Sequence, residues 1–580
     1  MTATEPSGLR LEPGPAPAVG SRGIKWAAGA ALLAASWAIN GYQVYHSNQA
    51  IQLPLVAHLA HPALFRGDAF VHTLSGYAAP IWWLIARATR FLPLEPLLFV
   101  LFLVTKICLL LAAASLAGAI RPRSALAPWA GAAVAALGIG PLLASGTITS
   151  SYFEHTAAAI PLFLWAFAAL VRGKPWRWAL LCAIGVTLNP MYGLYALTYS
   201  LLGLLVLHRR TWPRWLVPLL CCGLLSAPTF LMAAHAHSAQ AADPSFWLQV
   251  AEASGSRHLF PRQWPLPQFF EYGLVALLVL VLARARPPDA PEAIPGNRFA
   301  AAATVCGFAW LAVAYLAPYV LRSPGLVVLH PGRATDLWCA VCALFLVAHF
   351  SWRLECDLPT VRPASVLGLV ASILLLSRQW PQELPVVPFV LLILLLQPRV
   401  WQRLTEQPQV STMAVRLAAL VCFLALLHVG LRGVQRGTAG FYTYGVSART
   451  RQVARWARDH SDTGALFIVP PEGDWYMFRA LADRGVVGVW RDGTGLLWNR
   501  PFASEWVRRM HLLGKAVLPR GATPWPVAAS VYPTGWSDQQ LSDVARTFGA
   551  DFCVLPADHP TRLPVVYQGS MGYKVVKAAG

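Results

Sequence analysis

The chain reads as a polytopic α-helical membrane protein carrying a small α/β domain at its C-terminal end, and three features predict this. Hydrophobic residues make up 56% and charged residues only 12% of the 580 residues, about half the charged share of a soluble domain, so lipid solvates most of the chain. Apolar segments of spanning length recur from Ile24 to about Arg432. Beyond that point charged helices alternate with short apolar strands, a pattern that packs in water.

The elements follow in order. Residues 1–23, rich in Pro, Gly and Ala and carrying Arg10 and Arg22, read as a disordered cytoplasmic leader. The apolar run from Ile24 to Tyr45 is a first span, and no small-residue cleavage site follows it. A long external loop, residues 46–80, comes next. Further spans begin near Leu94, Leu126, Thr156, Trp178, Met191, Trp215, Leu266, Phe299, Leu337, Val361, Pro385 and Met413, about thirteen in all. Asn189 and Pro190 stand between the segments near Trp178 and Met191, which form either a tight helical hairpin or one kinked helix. Lys106 lies inside an apolar span and is expected to face the bundle interior.

With the N-terminus in the cytoplasm, Arg121, Arg123, Arg172, Lys174, Arg177, Arg209, Arg210 and Arg214 all fall on the cytoplasmic side. The opposite loops carry fewer basic residues. An odd number of spans then closes a transmembrane domain over residues 24–431 and places residues 432–580 outside the cytoplasm. In that tail, Thr450 to His460 and Phe502 to Leu513 read as helices, and Ala465 to Val469 and Phe552 to Leu555 as strands.

The net charge of +20 belongs to loops and the lipid surface, since no basic module interleaved with aromatics is present to bind nucleic acid. Most of the ten cysteines sit in apolar runs and build no disulfide framework. Cys339 and Cys342 form a CxxC within one such run, without a second ligand pair for a metal.

Chemistry concentrates in the external loops. In the first, His61-Pro62-Ala63-Leu64-Phe65-Arg66-Gly67-Asp68 sets a carboxylate among residues that dock on the bilayer surface. Asp68 either acts as a general base toward an acceptor or caps the helix that follows. The second loop offers Glu154 and His155, as a metal ligand pair or proton carrier, or as a plain helix start capped by Ser150 or Ser151. In the third, Arg322, His330 and Arg333 precede a new span, where a guanidinium and free backbone N–H groups suit a phosphate, unless Arg333 is an ordinary interfacial arginine. The tail adds Trp475, Arg479, Arg484, Arg491 and Trp506, which serve either a sugar or pyrophosphate or the tail's own packing. His235, His237, His258 and neighbouring polar residues read as loop residues.

The long first loop with His61-Pro62 and Asp68, the short second loop with Glu154-His155, and the external tail together resemble the GT-C superfamily of membrane glycosyltransferases. That superfamily includes protein mannosyltransferases, oligosaccharyltransferase catalytic subunits and the aminoarabinose transferases of lipid A. Asp68 stands alone where many members pair two acids, and no WWDYG-like string is present, which counts against an oligosaccharyltransferase. The resemblance implies a multi-pass protein of the bacterial inner membrane, with its tail in the periplasm or outside the cell. It further implies an inverting transfer of sugar from a polyprenyl-phosphate donor to a lipid, polysaccharide or protein acceptor. Asp68 is then the base, Arg333 and Arg322 hold the donor phosphate with His330 and His61 nearby, and Glu154 with His155 positions the acceptor or an optional divalent metal (Mg or Mn). The competing readings are a transporter or flippase for a lipid-linked or anionic substrate, and a non-catalytic assembly subunit. The first lacks the inverted repeat it would need.

Overall fold

The structure, a computed structural model, describes residues 22–77, 79–140, 143, 148–238, 243–255, 257–284, 291–356, isolated positions between 365 and 435, 442–519, 521–524, 532 and 535–578. A helix begins each time the sequence turns apolar. In order these are α1 (Arg22–Asn40), α2 (Gln49–Ala60), α3 (Ala69–Thr73), α4 (Ile81–Ala88), α5 (Leu94–Ile120), α6 (Ala127–Leu137), α7 (His155–Val171), α8 (Pro175–Leu188), α9 (Pro190–Leu207), α10 (Pro213–Ser238), α11 (Pro244–Ala253), α12 (Leu266–Arg284), α13 (Ile294–Tyr319), α14 (Pro324–Val327) and α15 (Ala334–Cys356). Every span expected from Ile24 through Leu337 meets a helix. Those near Val361, Pro385 and Met413 lie outside the described residues.

Among the described residues, six helical stretches, including α5, α9, α10 and α12, are long and apolar enough to cross a bilayer, and α6, α7 and α8 are shorter apolar helices. The chain is a multi-pass helical membrane protein. α10 turns Leu216, Val217, Leu220, Leu224, Leu225 and Leu231 outward, a face that only lipid solvates without penalty. α7 is the opposite case, with Ile160, Phe163, Leu164 and Phe167 wholly enclosed by its neighbours.

Asn189 settles the alternative at the Asn-Pro pair. Its extended backbone ends α8, and its side chain caps α9 by accepting from the Tyr192 N–H, so the two form a hairpin rather than one kinked helix. Gly193 makes that hairpin possible, because a Cβ there would come within 2.5 Å of Val186. Lys106 is buried, with its ammonium 5.3 Å from the Phe102 ring centroid.

The tail contributes α16 (Ala448–His460), α17 (Phe478–Ala482), α18 (Phe502–Leu512) and α19 (Asp538–Phe548). Ser447 caps α16, and Ser537 with Gln540 forms a capping box on α19. A short parallel pair joins β1 (Gln43–Val44), just after α1, to β2 (Thr443–Tyr444) at the start of the tail. The main sheet has the order β4-β3-β5-β7-β6 over β3 (Leu466–Ile468), β4 (Gly485–Val486), β5 (Phe552–Pro556), β6 (Val565–Gln568) and β7 (Tyr573–Lys577). β3 runs parallel to β4 and β5, and β7 antiparallel to β5 and β6.

The tail does not bury its apolar surface alone. Phe65 and Phe70 of the first loop, Trp82 of α4, Trp247 of α11, and Leu496, Trp506 and Met510 of the tail belong to one continuous core. The first loop and the tail are thus fixed to each other across hundreds of residues of sequence.

Candidate functional site

Three tyrosines spaced at helical intervals on one face of α9 set the geometry of the loop before α15. Tyr192 donates to Asp336 at 2.5 Å, Tyr195 donates to the carbonyls of Leu329 and His330, and Tyr199 donates to the Ala334 carbonyl at 3.0 Å. Their rings are buried, so each hydroxyl needs such a partner. The loop so held runs through His330 in the left-handed region (φ 49°) into a 3₁₀ turn, Pro331–Arg333. Gly332 lets this turn press inward, since a Cβ would meet Trp264 at 2.8 Å and the His258 carbonyl at 3.0 Å.

Above this turn lies a cavity of about 1100 Å³. Met191 and Leu194 of α9, Phe230, Ala233 and Ala234 of α10, and Leu329 form the apolar part of its lining. His155, His258, His330 and Arg333 line it as well, together with Trp490, Arg491, Thr494, Trp498 and Arg500 of the tail. Among the lining residues are three guanidiniums and no carboxylate. The Nε of Arg333 and of Arg491 is buried and has no hydrogen-bond partner among the described residues.

Three segments meet at one asparagine of this wall. Asn48, next to α2, donates to Glu154 at 2.9 Å and accepts from Arg491 at 2.6 Å, while Tyr152 also donates to Glu154 at 2.9 Å. Tyr77 stands edge-on to both Trp498 and His155. His258 lies 3.0 Å, nitrogen to nitrogen, from His330, with the rings stacked at 4.9 Å. Burial, together with the guanidiniums of Arg333 and Arg491 and the second imidazole, holds His258 well below the usual histidine range, so it is neutral.

Of the residues singled out from the sequence, Arg333, His330 and His155 converge on this cavity. Glu154 lies just behind its wall, buried, as the acceptor of Asn48. Arg322, expected as a second phosphate arginine, is exposed, lies outside the lining residues and has a left-handed backbone (φ 46°). His61 is exposed at the end of α2, on the side of Asp483, and does not reach the cavity. The serines expected to cap α7 do not: Ser150 accepts from the Tyr152 N–H instead. His235 and His237 lie in the last turns of α10, outside the described side chains.

Asp68 is placed differently from the expected base. It caps α3, accepting from the N–H groups of Phe70 and Val71 at 3.1 Å each. Its other oxygen accepts from the Val486 N–H at 2.8 Å and from Arg479. Arg479 in turn grips Asp492 through both terminal nitrogens, at 3.0 and 2.9 Å. Asp68 is 0% exposed and outside the cavity lining, and its carboxylate has no side left for a substrate. The cap and the ion triad account for it. Asp492 belongs to the 3₁₀ segment Trp490–Leu497, which carries Trp490, Arg491 and Thr494 to the cavity, so the triad is what holds the tail's half of the wall in place. Burial alone would lower the pKa of Arg479, but Asp492 and Asp68 reverse this and keep it firmly charged.

Glu154 and His155, expected as a metal ligand pair, already have partners within the chain. Glu154 is engaged by Asn48 and Tyr152, the His155 Nδ1 faces the Gln52 amide at 3.4 Å, and among the described residues no three His, Cys, Asp or Glu side chains converge. Trp490, Trp498, Arg500 and Asn48 carry no sequence motif, and only the closure of the tail over the loops reveals them.

Residues 448–513 match a domain of unknown function, DUF6798, a stretch that includes Arg479, Asp492 and all the tail residues named in the wall. No curated protein matches the chain. Among solved structures it is similar to ArnT from Cupriavidus metallidurans in the apo state, at 12% identity over 97% of this chain and 100% of that one, with a TM-score of 0.43. It is similar likewise to the same protein bound to undecaprenyl phosphate, with a TM-score of 0.42. A third likeness is to the arabinofuranosyltransferase AftD from Mycobacteria, at 13% identity over 97% of this chain and 40% of that one, with a TM-score of 0.44.

Proposed function

We propose that the chain is a membrane glycosyltransferase that takes a sugar from a polyprenyl-phosphate donor and passes it to an acceptor hydroxyl or amine outside the cytoplasm. The observation that carries this reading is the cavity itself. Its lining combines apolar side chains of α9 and α10 with the guanidiniums of Arg333, Arg491 and Arg500, and no carboxylate is among the lining residues. A ligand that satisfies both kinds of lining is an amphiphilic anion, with a lipid chain and a phosphate.

Arg333 is the residue best placed for the phosphate, since its buried Nε has no hydrogen-bond partner among the described residues and it ends the turn that leads into α15. Trp490, Trp498 and Tyr77 offer the aromatic faces on which a sugar ring packs. Glu154 acts through Asn48, keeping that amide and Arg491 in the wall.

The test is transfer of labelled sugar in proteoliposomes from a panel of polyprenyl-phosphate donors, with binding of polyprenyl phosphate measured in parallel. Transfer that is lost in Arg333→Gln supports the reading. Movement of the lipid across the bilayer without transfer assigns the cavity to a transporter, and binding with neither gives an assembly subunit.

A further inference from the structure

Sugar transfer from a phosphate ester raises a question of where one proton goes. The bond from the anomeric carbon to the phosphate oxygen breaks, and the phosphate leaves with the electron pair. The acceptor oxygen bonds to that carbon and must shed its hydrogen. Asp68 is sealed in its ion triad, and no carboxylate lines the cavity. The side chains in the wall able to take a proton near neutral pH are the imidazoles of His155, His258 and His330.

The three are not equivalent. His155 is boxed in by the rings of Tyr77 and Trp82, and its Nδ1 faces Gln52. His258 and His330 come from separate segments yet share a short nitrogen-to-nitrogen contact. His330 is kept there in a left-handed backbone, its carbonyl anchored by Tyr195. Non-glycine residues rarely hold that conformation unless the surroundings impose it, and such residues gather at functional sites.

We propose that the His258–His330 pair is the proton acceptor of the transfer, taking the acceptor's proton as the new bond to the anomeric carbon forms. The inference rests on the glycosyltransferase reading above. The charged groups around the pair are Arg333 on the turn and Arg491 from the tail. Asp336, which follows Arg333, is engaged by Tyr192. Before the donor enters, the two guanidiniums repel a proton from the pair. A departing phosphate offsets them, so the pair becomes basic where and when the proton is released. The protonated pair then stands beside the phosphate that has gained charge.

The experiment compares the wild type with His258→Gln and His330→Asn in proteoliposomes, Asn being chosen because it tolerates the left-handed backbone. Polyprenyl-phosphate binding is measured first, then kcat for transfer across the pH range around neutrality. Each variant is expected to bind the lipid as the wild type does, to keep the donor KM, and to lose about 10²–10⁴-fold in kcat. The kcat profile is also expected to lose its ionisation near neutral pH. Variants that transfer at wild-type rate with an unchanged pH profile overturn the proposal while leaving the glycosyltransferase reading intact. A wild type that neither binds the lipid nor transfers overturns that reading, and the proposal with it.

Discussion

Replacing Asp68 with Asn separates two roles that the sequence leaves open. Asn keeps the size and one oxygen, and it caps helices as well as Asp does, so the bonds from Phe70 and Val71 can survive. The other oxygen becomes an NH₂ group facing the Arg479 Nε–H and the Val486 N–H, three donors with no acceptor among them. Asp68 and Arg479 are 0% and 1% exposed, so solvent does not screen the loss. Breaking a buried ion pair from one side costs about 3–5 kcal/mol. The remaining partner, Asp492, offsets some of this, and a loss of about 3 kcal/mol is expected. A loss of that size is a large fraction of the stability of an ordinary domain. It should appear as a lower melting temperature in detergent and faster proteolysis of the tail near Trp490 to Leu497, with sugar transfer reduced because the wall carrying Arg491 loosens. A double-mutant cycle with Asp492→Asn should show strong coupling, because Arg479 holds both acids. An Asp68→Asn protein with unchanged melting and proteolysis but transfer abolished would refute this reasoning and restore Asp68 as the base.

Three further outcomes follow from the same geometry. Arg333→Gln removes a guanidinium from the cavity and is expected to weaken polyprenyl-phosphate binding by about 1.5–3 kcal/mol, roughly ten- to a hundredfold; Arg322→Gln, exposed and off the cavity, should leave binding unchanged in the same titration. His511 is buried and its Nε2 accepts the N–H of Val517 at 3.0 Å. Burial lowers its pKa, so its contribution to stability is complete above about pH 6.5 and is lost as the pH falls through the folded value. Unfolding measured from about pH 7.5 to about pH 5 should show this loss, and His511→Gln should flatten it. Transfer is expected to survive EDTA, since Asn48 and Tyr152 already occupy Glu154 and the Gln52 amide faces His155; inhibition reversed by added Mg or Mn would reveal a metal these residues do not account for.

Lipid or water as the solvent of each segment follows from composition alone, which is why the spans from Ile24 to Leu337 meet helices. Capping by Asp68 and Asn189, and the turn that presents Arg333, depend on neighbours within a few residues, so they too are legible in one dimension. The use of each polar group is settled only in three. Asp68 has the form of a catalytic carboxylate until Arg479, 411 residues away, closes on it. Arg491 and Trp498 are ordinary tail residues until the shared core folds them over the membrane helices. A cavity is the space between segments, and its charge is the sum of side chains that no spacing in the chain relates. The aspartate enclosed by Arg479 and the guanidiniums that line the cavity therefore become distinguishable only when burial shows which groups face one another and which face a space.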